Sequence, residues 1–255
     1  MDQIWLLGDS LTQGGYEIEN KGFAARLAHA YIRKLDIVNR GLSGYNTTWA
    51  LRVFKQIWPV SSSRGPKIHL IAIWYGANDA AIPPKAQHVP IEEFRANLEE
   101  LVDVVRNPES KYYSPVTKII LITPPPVNTH QWGAFQASKV PPQPLDRDFE
   151  VTKAYAQAVR DVGAALSVPV ADVWTPVWKA AGESEEALKA YLIDGLHLNA
   201  DGYDIVYGTL LETIASNYPE LGPERLSPVF PFTDEIDHNN LDGSLKARSP
   251  FSQRA

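Results

Sequence analysis

Ile4-Trp5-Leu6-Leu7-Gly8-Asp9-Ser10-Leu11-Thr12 is the stretch from which the rest of the chain can be ordered. Four consecutive apolar residues stopped by glycine read as a short buried strand. Gly14 and Gly15 follow, and a helical spacing begins near Gly22, so Ser10 is expected in a strand-to-helix turn. Open α/β sheets place their ligands beyond the carboxyl ends of their strands. A serine there can show its hydroxyl to a cleft, with backbone N–H groups nearby to face an anion. Taken alone, Gly-Asp-Ser reads more plainly as a serine capping the next segment. What decides between the two readings lies elsewhere in the chain.

Outward from that stretch, strand and helix alternate. Phe23, Leu27, Ala30 and Tyr31 keep helical spacing, ending near Lys34, and Asp36 to Asn39 is a short second strand. Gly41 to Asn46 is a loop. Lys67 to Tyr75 is the strongest strand, apolar on both faces towards its end, as in the centre of a parallel sheet. Pro90 stands where a first helical residue would, and Ile91, Phe94, Leu98, Leu101, Val102 and Val105 then form an amphipathic helix. Lys118 to Thr123 is a fourth strand, stopped by Pro124-Pro125-Pro126. A Pro- and Gln-rich stretch to about Arg147 reads as a long loop, a length that often marks function. Tyr155, Val159, Val162 and Leu166 mark a helix, Val168 to Val173 a fifth strand, and Ala200 to Asn217 a last helix. Between these two, Trp174 to Ile193 is a connection with one short helix near Glu183 to Leu192. The pattern predicts an α/β fold, a flavodoxin-like three-layer sandwich with a five-stranded parallel sheet in the order 2-1-3-4-5.

The chain has 255 residues, 44% apolar and 21% charged, with net charge −6, the profile of a globular domain. No Lys/Arg cluster forms a face, so nucleic acid is not an expected partner. No apolar run approaches the about 18 residues of a membrane span, and Met1-Asp2-Gln3 lacks the basic start of a signal peptide. There is no cysteine, which removes disulfides, thiolate chemistry and Cys-ligated zinc. A cytoplasmic location is the default expectation. Residues 1–221 read as one catalytic domain. Residues 222–255 read as a tail whose first part, with Leu226, Val229, Phe230 and Phe232, docks on the domain or on the partner of a homodimer. Asp234 to Ala255 is polar and expected to be more mobile.

Four points fall on the carboxyl edge of the expected sheet: Ser10 after strand one, Gly44 after strand two, Asn78 after strand three, and Asp194-Gly195-Leu196-His197 after strand five. With strands two, one and three adjacent, Gly44, Ser10 and Asn78 converge, and the connection from Trp174 to Ile193 is long enough to return Asp194 and His197 to Ser10. A serine hydroxyl needs a base, usually histidine, and the base needs an orienting acceptor. Asp194 precedes His197 by about one helical turn, so both side chains can share a side. Attack on an ester makes an oxyanion, for which the N–H groups of Ser10 and Gly44 and the side-chain amide of Asn78 are the candidate donors.

Gly8-Asp9-Ser10-Leu11, Gly44, Gly76-Ala77-Asn78-Asp79 and Asp194-Gly195-Leu196-His197 resemble, in order and spacing, the four blocks of the SGNH (GDSL-type) hydrolases. Asn39 to Thr47 and Tyr75 to Ala80 are more similar to the isoamyl-acetate-hydrolysing esterases of that family. The likeness spans roughly residues 3 to 215. It implies a serine esterase with Ser10, Asp194 and His197 as catalytic triad and Ser10, Gly44 and Asn78 as oxyanion hole. The expected partner is a small-molecule ester, fairly apolar and acetate-like, and no cofactor is called for. A carbohydrate deacetylase, thioesterase or lysophospholipase would use the same groups. A catalytically idle binding module on the same scaffold is the rival class.

Other residues compete less well. Gly41-Leu42-Ser43-Gly44-Tyr45 nearly forms the G-x-S-x-G elbow, but Tyr45 fills the last glycine position; Ser43 reads as a loop serine. Asp9 and Asp79 read as structural supports of their turns. The other histidines show no metal-binding spacing, so no metal is expected, and His130 reads as a solvated loop residue. Trp74, Tyr75, Ile82, Trp132, Trp174 and Leu196 are the candidates for lining the substrate pocket, with Pro124 to Pro144 as its roof.

Overall fold

Strands β1 (Gln3–Gly8), β2 (Asp36–Gly41), β3 (Ile68–Trp74), β4 (Lys118–Ile122) and β5 (Val170–Ala171) form one parallel sheet in the order β2-β1-β3-β4-β5, as expected. They are seen in a computed structural model that describes residues 1–251. The helices are α1 (Ser10–Gln13), α2 (Phe23–Ala30), α3 (Thr47–Ile57), α4 (Ile91–Arg106), α5 (Thr129–Ala137), α6 (Phe149–Leu166), α7 (Trp174–Ala180), α8 (Ala200–Asn217) and α9 (Leu241–Ser244).

Side chains on β1 alternate between two helical layers, which is why the strand is apolar throughout. Ile4 and Leu6 pack with Phe23 and Leu27 of α2, Val177 of α7 and Val206, Leu210 and Ile214 of α8. Trp5 and Leu7 pack on the other face with Leu51 and Phe54 of α3, Leu98 and Val102 of α4, and Val159 and Val162 of α6. Each such side chain stabilises the fold by roughly 1.5–3 kcal/mol when fully buried, so the edge that carries the site rests on a rigid centre. Register sets what meets at that edge: Gly8 pairs with Gly41 on one side and Trp74 on the other. Ser10, Gly44 and Asn78 follow these three residues by two, three and four positions.

Several elements depart from the pattern reading. Helix α3 falls where only a loop was expected to begin. Its first residues, Thr47-Thr48-Trp49, are weak helix formers, and the helix is fixed by its Asn46 cap, which accepts from the Trp49 N–H, and by burial of Ala50, Leu51 and Phe54. The long loop after β4 is not structureless. It contains α5, which shows no apolar stripe because its two buried side chains, Trp132 and Gln136, are anchored by polar contacts to Asp146. The connection from Trp174 to Ile193 holds a helix that was not expected, α7, and the short helix near Glu183 to Leu192 is a 3₁₀ turn at Glu186–Ala190. Strand β5 is cut to two residues, and Pro90 caps α4 from just outside it.

The tail beyond Leu221 lies along the amino ends of the strands, opposite Ser10. The Val229 N–H donates to Arg33 O at 2.8 Å, Lys34 Nζ to Pro223 O at 2.7 Å, and the Arg248 N–H to Val229 O at 2.7 Å. The Phe251 ring sits 4.6 Å from His69. Leu226 and Val229 are buried, whereas Phe230 and Phe232 keep 46% and 39% exposure, with the Arg33 guanidinium 4.3 Å over the Phe232 ring. Of the segment expected to be mobile, residues 252–255 lie outside the described residues. Among the described residues no helix is long and apolar enough to cross a membrane.

Candidate active site

Ser10 is the first residue of α1, and Asp9, not Ser10, is its cap: Asp9 Oδ1 accepts from the Leu11 N–H at 2.9 Å. The serine hydroxyl is thereby left for another partner. Ser10 Oγ lies 2.9 Å from His197 Nε2, and His197 Nδ1 lies 2.7 Å from Asp194 Oδ2. The three groups, up to 187 positions apart, form one hydrogen-bonded series.

Asp194 and His197 meet through a tight loop and not through a helical turn, which corrects the spacing argument. Leu192 and Leu198 bridge as antiparallel partners, and the Ile193 N–H donates to His197 O at 2.8 Å. Asp194 Oδ1 closes the loop by accepting from the Leu196 and His197 N–H groups at 2.9 and 2.8 Å. One carboxylate oxygen therefore builds the loop and the other orients the imidazole. Gly195 is required here: its φ is +99°, and a Cβ would stand 2.4 Å from the Trp132 N. Burial opposes charge on His197, but the hydrogen bond and charge of Asp194 outweigh it and raise the imidazole above its ordinary 6.5. In Asp194, burial pushes upward and the His197 contacts prevail, holding the carboxyl below 3.8.

Asn78 is 3% exposed. Its Nδ2 donates to Tyr45 O at 2.9 Å and makes a longer 3.4 Å contact with Asp9 Oδ2. Gly44, with φ +82°, brings backbone next to it. Gln87 Nε2 spans the two, donating to Gly44 O at 2.9 Å and to Asn78 Oδ1 at 3.1 Å. Ser10, His197, Asp194, Gly44 and Asn78 are thus brought together at one edge of the sheet.

Beneath them lies a cluster that sequence reasoning only partly foresaw. Asp79 does not cap its own segment; it accepts from the N–H and hydroxyl of Thr47, fixing the start of α3, and from the Gly76 N–H. Asp9 and Asp79 are both fully buried. Burial pushes the Asp9 carboxyl up to about 7 and the Asp79 carboxyl up to about 6. The countercharge is Arg147, a residue the sequence did not single out, with its side chain 1% exposed beside Asp146 at 3.0 Å. Its one signal is position: Asp-Arg-Asp closing a Pro-rich stretch.

The pocket-lining candidates separate. Trp132 stands beside His197, ring centroids 6.1 Å apart, with Nε1 donating to Asp146 Oδ1 at 2.7 Å. Leu196 lies in the Asp194–His197 loop itself, and the Ile82 N–H donates to Asp146 O. Trp74, Tyr75 and Trp174 are corrected: they belong to the core. Trp74 is 1% exposed, bound to Thr123 O and edge-on to Phe23. Tyr75 faces the opposite helical layer, and Trp174 packs on Phe149. Alternation at the end of β3 puts the Trp74 and Tyr75 rings into the cores on opposite faces of the sheet, and Trp174 opens α7. Ser43 is exposed, with its N–H bound to Gln13 Oε1 and no histidine hydrogen-bonded to its hydroxyl among the described residues. His130 is exposed on α5.

Comparison with known proteins places the whole chain. The GDSL-like Lipase/Acylhydrolase family model matches residues 6–205. A GDSL esterase/lipase of Arabidopsis thaliana is 34% identical over 253 residues, 96% of this chain and 98% of the relative. The isoamyl acetate-hydrolyzing esterase 1 homolog of Homo sapiens is 34% identical over 233 residues, 87% of this chain and 86% of the relative. Among solved structures, the lipase/acylhydrolase from Enterococcus faecalis has the same fold, with TM-score 0.60 at 23% identity over 89% of this chain and 98% of that one. With the family's pattern running through most of its length, the chain belongs to the GDSL-like lipase/acylhydrolase family and is a carboxylic ester hydrolase.

Proposed function

We propose that the chain hydrolyses small, fairly apolar carboxylic esters of the acetate type through an acyl-enzyme on Ser10. The observation that carries this reading is the series Ser10 Oγ, His197 and Asp194, with links of 2.9 and 2.7 Å. His197 Nε2 takes the proton as Ser10 Oγ bonds to the ester carbon. The oxyanion is held by the Ser10 and Gly44 N–H groups and Asn78 Nδ2. The imidazolium then protonates the leaving alkoxide, and a water activated by the same imidazole cleaves the acyl-enzyme. Asp194 holds the tautomer and stabilises the imidazolium. An organophosphate should block hydrolysis of p-nitrophenyl acetate and label the peptide carrying Ser10; a label on Ser43 overturns the assignment.

The pH dependence follows from His197. It acts as base only when neutral, and Asp194 raises its pKa above 6.5. In the free enzyme, kcat/KM should therefore climb with pH through one ionisation whose midpoint lies above 6.5 and be lost as pH falls below it. A profile with its midpoint below 6 excludes His197 as the base.

Acetate-type specificity is supported by two things. Relatives carry isoamyl acetate in their names, and the imidazole is walled by Trp132 on an ordered helix, α5, in place of a loose loop. Esters from acetyl to hexanoyl should exceed lauroyl and palmitoyl esters in kcat/KM by roughly tenfold or more. A preference for palmitoyl esters across a matched acyl series would favour a lipase-like reading instead.

A further inference from the structure

Asparagine used as an oxyanion donor has a difficulty built in. Its amide has one end that donates and one that only accepts, and the two are nearly the same shape. Rotated by half a turn, Asn78 would present Oδ1 to the oxyanion and repel it. Something must fix the rotation.

Two side chains do so from the acceptor end. Asn78 Oδ1 receives Gln87 Nε2 at 3.1 Å and Arg147 Nη2 at 3.2 Å. A guanidinium has only hydrogens to give, so the atom facing it must be the amide oxygen. From the other end, Tyr45 O and the Asp9 carboxylate accept from Nδ2. Rotating the amide would lose all four contacts, setting Nδ2 against two donors and Oδ1 against two acceptors. The contact to Asp9, at 3.4 Å, is the long one, so its hydrogen is the one a substrate oxygen can take.

Each brace is itself held. Arg147 donates through Nε to Ala77 O at 2.8 Å and through Nη1 to Asp146 at 3.0 Å. Asp146 in turn accepts from Trp132 Nε1 and Gln136 Nε2 of α5. Gln87 uses the same nitrogen for Gly44 O at 2.9 Å, and its main-chain carbonyl accepts from Asn46 Nδ2 at 3.0 Å. A single amide thereby ties the second oxyanion donor to the third.

We propose that Gln87 and Arg147 are positioning residues of the oxyanion hole, fixing the Asn78 amide with Nδ2 towards the reacting oxygen, and that Gln87 also sets the distance between Asn78 and Gly44. The guanidinium polarises the amide through its oxygen, making Nδ2 a stronger donor. This inference rests on the reading of Asn78 as an oxyanion donor.

The test is a mutant cycle on p-nitrophenyl acetate hydrolysis. Gln87 is only partly buried, so its variants are expected to fold. Gln87→Met, which keeps length and loses the donor, should lower kcat about tenfold with KM changed less than about twofold. Gln87→Glu, which sets an acceptor against Oδ1, should lower kcat further, by about a hundredfold. In an Asn78→Ala background either change should cost at most about threefold, because the amide it positions is gone. Arg147→Lys enters the same cycle, and circular dichroism reports whether it folds; the Gln87 pair carries the test if it does not. Wild-type kcat in both Gln87 variants, or full multiplication of their losses with that of Asn78→Ala, overturns the inference while leaving the oxyanion reading intact. An Asn78→Ala enzyme with unchanged kcat overturns the oxyanion reading, and the inference with it.

Discussion

Replacing Ser10 by alanine is expected to lower kcat for p-nitrophenyl acetate by about 10⁴–10⁶-fold while the protein stays folded. The size follows from the role: without Oγ there is no acyl-enzyme, and what remains is hydrolysis by water at a site that still binds the ester. The fold should not notice. Ser10 is partly exposed, and its Oγ has His197 Nε2 as its hydrogen-bond partner. The α1 cap is the work of Asp9. Ser43→Ala is the matched control, since Ser43 is an exposed loop residue. A Ser10→Ala protein with native circular dichroism and more than a hundredth of wild-type kcat would show that the nucleophile lies elsewhere.

The second large effect is at Asn78. Asn78→Ala should lower kcat by about 10²–10³-fold, equivalent to about 2.7–4 kcal/mol, while KM moves little. The split arises because the Nδ2 hydrogen meets full negative charge only when the carbonyl oxygen becomes an oxyanion. The ground-state ester gains less from it. Stability is a separate matter. Asn78→Ala leaves the buried Arg147 Nη2 without the oxygen it serves and Gln87 Nε2 with Gly44 O, and an unpaired buried donor costs about 1–3 kcal/mol. The variant should therefore melt earlier than the parent, and the kinetics are to be read well below that temperature. A parallel rise in KM with unchanged kcat would assign Asn78 to ground-state binding.

The parts of the candidate site were unequally legible. The Ile4 to Thr12 stretch announced a buried strand and a serine in the turn after it because strand burial and turn chemistry are local properties. Four apolar residues in a row and a glycine suffice to state them. The convergence of Ser10, Gly44 and Asn78 followed once the alternating elements were laid out in the flavodoxin-like order 2-1-3-4-5, which sets β2 and β3 on either side of β1 as the sheet does. Asp194 and His197 were found by their types and order, yet the geometry imagined for them was wrong. A glycine at positive φ and a two-residue bridge made a closed loop where spacing alone suggested a helical turn.

Sequence by itself determined the layers, the strand order and the five residues gathered at the edge. All of these rest on periodicity and motif chemistry acting over a few residues, or on the topology those elements permit. The tertiary structure alone decided which way Trp74, Tyr75 and Trp174 point, that Asp146 and Arg147 turn inward, and which groups bind each end of the Asn78 amide. Arg147 reaches Asn78 across 69 positions of sequence, and Gln87 reaches Gly44 across 43. Hydrogen bonds of that kind leave no periodic trace. A buried amide must find partners, but nothing in the order of residues says which distant donor the packed chain will set beside it.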